Sequence, residues 1–528
     1  MSENKAVKTV SLIIVWTGFS KILGLVRDMI MAYLYGGSAE DAAVMIASNI
    51  PRDFFDIFFG AAILGIFIPV YNSFGKGDDA SEKSKKAEEF ANIFLNFVIL
   101  ATGFLVLLGV VFANQIVDVI AAGYSDDTKR LTVDLLRIML PMIVLTGSVF
   151  TVTGILQSKG EFLAPALVSA FSNLCVIIYL LAFNRHFGVY GLAVAYLISW
   201  IVQLLTLVVP LTRKKYKYKF KTDFKNPVFL RAVRLALPIL AGAWLMPMSR
   251  LISKRFASSF DEYAFVTAAF GRAWLLFLII TGVLTYGVCN YIFPKLAQSA
   301  NTDNENGNKN GGREFAELLK RGLSGLIFVM APVACIAFVL RGEAVAVLFM
   351  RGEFTPELAA AAAEMFAFLT PAMLMFSMIE LLNRVFYSKQ LVKFPMIAAI
   401  AAVCVNFILC YVFIELFELA PAFISLANFI CQASAMIILI IALRVKVRGV
   451  LNGRFLANIC KIVLSSGIAL IIILIIHAVI ANNAFEEGLF RSIGTAAVIL
   501  IAGIAAYLGA NLALRTDEAR VMIKMLKR

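Results

Sequence analysis

Apolar runs of bilayer length recur from one end of this chain to the other, and that recurrence excludes nearly every fold class. Hydrocarbon offers the backbone no partners, so runs of about twenty residues cross it as helices. Fourteen such spans can be drawn, roughly 8–35, 42–73, 88–119, 131–157, 163–184, 188–211, 230–258, 263–296, 316–341, 357–387, 394–415, 421–443, 456–480 and 488–514. With 61% hydrophobic and 16% charged residues among 528, no soluble class accommodates the chain. The expected fold is an all-α integral membrane protein. The first run lacks a small-residue cleavage site and continues past Arg27 and Asp28 to Leu34, so it reads as a retained helix rather than a signal peptide. All seven cysteines lie inside the spans without a C-x-x-C, which points to neither disulfides nor a metal site.

The formal charge of +14 reads as topology before it reads as a partner, and no nucleic-acid role is expected. Lys76, Lys83, Lys85 and Lys86 follow the second span. Arg213, Lys214, Lys215, Lys217, Lys219, Lys221 and Lys225 follow the sixth, and Arg444, Lys446, Arg448 and Arg454 the twelfth. The positive-inside rule assigns these loops to the cytoplasm. The alternating loops carry Glu40 and Asp41, Asp261 and Glu262, Glu415 and Glu418, Glu486 and Glu487, and are expected outside. Both termini are then cytoplasmic. Residues 301–312, NTDNENGNKNGG, have the composition of a flexible linker.

An internal repeat accompanies this pattern. Ser158-Lys159 followed by Pro165 recurs as Ser388-Lys389 followed by Pro395, and Phe67-Ile68-Pro69 has a counterpart in Ile292-Phe293-Pro294. Both pairs place a helix on the sixth helix after it, so the halves share an orientation. The expected organisation is a six-helix lobe over 1–225, a second over 226–445, and helices thirteen and fourteen with a cytoplasmic tail over 446–528.

Ser20-Lys21-Ile22-Leu23-Gly24-Leu25-Val26-Arg27-Asp28 puts three charges inside the first apolar run. A charge at the centre of a spanning helix costs roughly 2.5 to 3.5 kcal/mol on the insertion scale, so such residues face a partner or a watery cavity. At about 1.5 Å of rise per residue, Arg27, Arg52 and Arg272 each fall about 15 Å below the outer surface. Lys21 lies deeper; Lys254 and Arg255 lie shallower. Arg52 is accompanied by Asp53 and Asp56, and Glu380 by Arg384 at i, i+4. Two readings stay open: interhelical ion pairs and snorkelling side chains, or a water-filled cationic cavity. The first is preferred for Lys254, Arg255 and Glu380/Arg384, near a membrane face. The second is preferred for Arg27, Arg52 and Arg272, because three planar forks at one depth suit a phosphate or pyrophosphate.

SKILGLVRD (20–28), FIPVY (67–71), FGRAW (270–274), LFMRGEFTPE (348–357) and FYSKQLVKFP (386–395) resemble segments of the MurJ (MviN) lipid II flippases. These belong to the multidrug/oligosaccharidyl-lipid/polysaccharide exporter superfamily, and the resemblance runs from Lys8 to about Leu514. It implies two six-helix lobes in a V shape that alternate access, with helices thirteen and fourteen forming a groove for the undecaprenyl tail. The disaccharide-pentapeptide pyrophosphate would pass through the central cavity of a bacterial inner-membrane protein, for peptidoglycan synthesis. Ser20, Arg27, Asp28, Asp41 and Arg272 match family positions. Lys21 stands where many members have Arg, and Lys21, Arg52 and Arg255 complete the expected substrate set. Gly24 and Asp41 are expected in gating or support. The family's helix-two arginine falls on Phe55, and Arg52 lies about one turn earlier, roughly 4.5 Å along the helix. Sodium-dependent members resemble a site with an Asn and an acid one turn apart in helix eleven. Here Asn406 is followed by Cys410, so coupling to Na+, H+ or the membrane potential stays open, with Glu380 and Asn406 as candidates. A functional monomer is expected, with peptidoglycan synthesis enzymes as potential partners.

Enzyme signatures are missing: His186 and His477 are far apart, and no Walker A, H-E-x-x-H or G-x-S-x-G sequence occurs. No enzyme and no cofactor are expected. A related exporter of another polyprenyl-linked oligosaccharide would share the cationic cavity, whereas a multidrug cation exporter would need an acidic one. A polyprenyl-phosphate transferase would need Mg²⁺-binding acids, and the adjacent aspartates Asp78-Asp79 and Asp126-Asp127 look like solvated loops.

Overall fold

A computed structural model of the chain describes residues 3–55, 59–60, 63–74, 80–306, 309–389, 391–447, 449–482 and 489–526. The described residues contain helices and no strand. They divide into two compact units, Met1–Ala264 and Phe265–Arg528.

The first unit contains α1 (Glu3–Tyr35), α2 (Ala39–Asn49), α3 (Ile68–Ser73), α4 (Ala80–Val111), α5 (Ala113–Ile120), α6 (Asp126–Met139), α7 (Met142–Ser158), α8 (Leu163–Ala182), α9 (Asn184–Arg213) and α10 (Pro227–Ala257). Helix α11 (Tyr263–Asn306) begins at its end. The second unit continues with α12 (Lys309–Val339), α13 (Arg341–Phe349), α14 (Pro356–Ser388), α15 (Lys393–Cys410), α16 (Phe423–Lys446), α17 (Gly453–Asn482), α18 (Leu489–Leu514) and α19 (Asp517–Leu526).

Eleven helical segments among the described residues are long and apolar enough to cross a membrane. The other three expected spans correspond to α1, the second span and α10, where the sequence departs from a plain apolar helix. Any bilayer-length stretch between Val15 and Tyr35 contains Lys21, Arg27 and Asp28. Helix α10 carries Arg231, Arg234, Arg250, Lys254 and Arg255.

The second span is not a plain α-helix over its described residues. Wide π-helical turns occupy Ile50–Phe54 and Ile63–Phe67, and each has a proline at or just beyond it, Pro51 and Pro69. Proline lacks the N–H an α-helix requires and crowds the preceding turn, so the ladder widens around it. Asp53 and Asp56 carry no described side chain. The linker expected at 301–312 is helical on both sides of residues 307–308, which lie outside the described residues. Extending an existing helix needs no new nucleus, so weak helix formers can continue it.

Within the first unit, α8 lies along both α1 and α9, α2 along α6, and α4 along α7. The second span reaches α7 closely because α7 offers glycines there: a Cβ on Gly154 would stand 2.8 Å from Ile63 and Phe67. Phe67 is fully buried, with its ring centre 5.0 Å from that of Phe94 and 5.6 Å from that of Phe90. Helix α10 packs against α4, α5 and the Ile63–Phe67 turn. In the second unit, α14 packs on α12 and α16, and α17 on α12 and α18. Arg515, in a left-handed conformation, turns the chain so that Glu518 of α19 accepts from Ser324 of α12 and from Asn458 of α17, the latter at 2.9 Å.

Candidate functional site

Ser20, Gly24, Arg27 and Met31 recur at i, i+4, i+7 and i+11 and so share one stripe of α1. This stripe meets α8. Glycine at position 24 permits close approach: a Cβ there would lie 3.3 Å from Asn173 Nδ2, tighter than ordinary contact. Asn173 then spans more than a turn of α1. Its Nδ2 donates to the Ser20 carbonyl at 3.1 Å, and its Oδ1 accepts from Arg27 Nη1 at 2.8 Å.

The same arginine donates from Nε at 3.1 Å and from Nη2 at 2.8 Å to Asp28 Oδ1. Both side chains are largely buried, 13% and 15% exposed. Three of the five guanidinium N–H groups are thereby engaged, and two have no partner among the described residues. The Ser20 hydroxyl is buried without a hydrogen-bond partner among them. Asp28 fixes the fork and offsets its charge, while Asn173 fixes its direction without adding charge.

Arg52 arrives from the π-helical turn at Pro51. Its guanidinium carbon lies 5.8 Å from the Tyr196 ring centre, and that of Arg27 lies 6.0 Å from the same ring. Tyr196, on α9, is 4% exposed. Two permanent cations therefore converge on one buried aromatic, each within cation–π reach. Phe55, where the family resemblance expects the helix-two arginine, is buried against Phe59 at 6.1 Å between ring centres.

The other expected residues take different places. Lys21 is exposed on α1. Asp41 is fully buried in the first turn of α2, where the helix dipole favours a carboxylate, and Ser38 caps its N–H at 3.1 Å. One turn further along α2, the Met45 carbonyl lies 3.5 Å from Lys254 Nζ, so this lysine links α10 to α2. Arg255 donates to Ser259 Oγ at 2.8 Å and lies 5.9 Å from the Phe256 ring, contacts local to the end of α10.

In the second unit Arg272 is 4% exposed on α11. Glu380 and Arg384 share a face of α14 with Ser377, whose hydroxyl lies 2.6 Å from that of Thr285 on α11. Arg384 stands 5.9 Å from the Tyr286 ring. Asn406 and Cys410 are both fully buried on α15, with Sγ 3.7 Å from Oδ1. No cluster of three or more His, Cys, Asp or Glu that could hold a metal ion occurs among the described residues.

Asn173 and Tyr196 are the site residues that sequence reasoning missed. Each is a single polar-tipped residue inside an apolar span, a signal too weak to name its partner.

A family profile described as lipid II flippase MurJ matches residues 31–494. A probable lipid II flippase MurJ of Bdellovibrio bacteriovorus is 27% identical over 428 residues, covering 80% of this chain and 79% of that protein. One of Aquifex aeolicus is 25% identical over 426 residues, covering 80% of each. A solved lipid II flippase MurJ in an inward closed conformation has a TM-score of 0.77 at 23% identity, over 96% of this chain and 99% of that one. An inward-facing multidrug transporter of the MATE family has a TM-score of 0.64 at 15% identity, over 82% and 95%. These two likenesses are of fold.

Proposed function

The chain belongs to the lipid II flippase MurJ family, and from that premise we infer that it moves lipid II from the inner to the outer leaflet, as a transporter and not an enzyme. The observation that carries the site assignment is the convergence of Arg27 and Arg52 on Tyr196, with two Arg27 N–H groups unengaged among the described residues. A pyrophosphate crossing hydrocarbon alone meets a prohibitive desolvation cost. Fixed guanidinium forks replace part of its hydration, while the polyprenyl tail stays in lipid. Ser20, whose buried hydroxyl lies on the same stripe of α1 as Arg27, supplies a further donor, and Arg272 the cation of the second unit. Arg52 takes the part of the family's helix-two arginine. Lys254 and Asp41 support the site by holding α10 and α2.

The topology that goes with this reading is fourteen crossings in two lobes of six plus α17 and α18, with cytoplasmic termini in the inner membrane. The protein acts as a monomer that feeds the peptidoglycan synthesis enzymes. Coupling runs through the proton gradient or membrane potential rather than an ordinary sodium site, because a thiol stands beside Asn406 where an acid is needed. Glu380 is the candidate carrier.

The test follows externally accessible lipid II in cells depleted of their own flippase. Wild type restores exposure, and Arg27→Ala and Arg272→Ala fail at normal membrane levels. Exposure by both variants equal to wild type would make these arginines structural and return the substrate to question.

A further inference from the structure

The connection between α9 and α10 is neither helix nor strand over residues 216–223, yet its backbone is held in place. Two asparagines one turn apart on α4 do this. Asn92 Oδ1 accepts from the Lys219 N–H at 3.2 Å and from the Tyr216 hydroxyl at 2.8 Å, while Nδ2 donates to the Lys217 carbonyl at 3.4 Å. Asn96 Nδ2 donates to the Lys221 carbonyl at 2.9 Å and lies 3.5 Å from that of Lys219, and its Oδ1 accepts from the Tyr218 hydroxyl at 2.7 Å. Each buried carboxamide takes the place of a neighbouring strand's edge.

Nearby carboxylates are already paired. Glu88 meets Lys159 at 2.7 Å, Glu89 meets Lys221, and Glu161 lies 4.0 Å from Lys214. Lys215, Lys217, Lys219 and Lys225 are exposed and have no ion pair among the described residues, against a single exposed acid in the segment, Asp223. Between them Tyr218 is 51% and Phe220 69% exposed.

We propose that this strap is a binding surface for the anionic headgroups of phospholipids in the leaflet it borders. It leaves the apolar helix α9 at Arg213 and re-enters α10 at Pro227, so both ends lie beside the bilayer. Lysines within a Debye length of an anionic surface are drawn to it. A soluble polyanion would be served by the lysines alone and would leave Phe220 in water, whereas an aromatic ring beside lysines suits the headgroup level. The asparagine clamp presents these side chains on a fixed backbone, so less order is lost on binding. The inference rests on the membrane reading of the chain and not on the identity of the transported lipid.

The test places a photoreactive benzoylphenylalanine at position 220 of the full-length protein, in vesicles of phosphatidylcholine with a minor fraction of phosphatidylglycerol. Crosslinking to phosphatidylglycerol is expected to exceed its mole fraction by about threefold or more, as several lysines act together. The enrichment is expected to vanish when Lys215, Lys217, Lys219 and Lys225 are all replaced by Gln, in high salt, and in the Asn92→Ala/Asn96→Ala variant with its helix content intact. Crosslinking in proportion to lipid abundance, enrichment that survives the Gln variant, or no lipid crosslink would each overturn the proposal. The crosslink requires no transport, so its failure leaves the flippase reading standing, and a flippase failure leaves the crosslink interpretable.

Discussion

Arg27 shows how much of the site one side chain organises. Its charge is offset by the next residue, its direction is set by Asn173 on α8, and its guanidinium carbon lies 6.0 Å from the Tyr196 ring centre. Replacement by Ala leaves Asp28 buried without its partner, a change worth roughly 3 to 5 kcal/mol where a buried pair is broken. Lipid II exposure in depleted cells is expected to fall at least about tenfold, and Arg27→Lys to recover part of it, because charge returns without the fork. Asn173→Leu removes the acceptor of Arg27 Nη1 and the added donor to the Ser20 carbonyl, and thermal unfolding in detergent should register a loss of about 1 to 3 kcal/mol. Ser20→Ala separates the two roles. Its hydroxyl has no partner among the described residues, so melting should not fall, while a drop in lipid II exposure would mark substrate contact. Unchanged transport would remove Ser20 from the site. Arg27 and Asp28 stood out because charge in an apolar run is a property of the sequence, whereas Ser20 and Gly24 were expected from the family resemblance. Asn173 and Tyr196 were not, since a partner 146 residues away is defined only by packing.

At the scale of elements, close approach decides more than propensity does. Gly123 lies in the turn between α5 and α6, and a Cβ there would fall 1.8 Å from the Ser258 carbonyl oxygen at the end of α10. Backbone meets backbone, so nothing flexible can yield. Gly123→Ala is expected to cut the yield of folded protein sharply, whereas Gly103→Ala, with nothing within 4 Å, is expected to raise stability by up to about 1 kcal/mol. Equal melting of the two variants in detergent would refute this account. The π turns of the second span follow the same logic. Pro51 and Pro69 are visible in sequence, but that a widened turn brings Arg52 to Tyr196 depends on packing between elements. Tyr216 adds a pH statement outside the membrane: burial pushes its hydroxyl well above the ordinary range. A raised value favours the folded, protonated form below about pH 10 and is lost only as pH rises further. Limited proteolysis of the strap should accordingly be unchanged from pH 7 to 9.

For the whole molecule, loop charge makes a prediction about sidedness. Cysteines introduced at Lys217 and Lys446 should react with an impermeant maleimide only after permeabilisation, and cysteines at Glu262 and Glu418 in intact cells. Labelling of Lys217→Cys and Glu262→Cys from the same side would break the alternation on which fourteen crossings rest. The bilayer requirement made the all-helical class and the anomalous charges readable from sequence, because each depends on local composition against a fixed thickness. Packing alone decided that α8 would carry the carboxamide fixing Arg27, that one tyrosine would gather two arginines, and that α4 would clamp the strap between α9 and α10. Hydropathy sets which residues enter the membrane, but directed hydrogen bonds and steric contact between helices distant in sequence set what those residues touch.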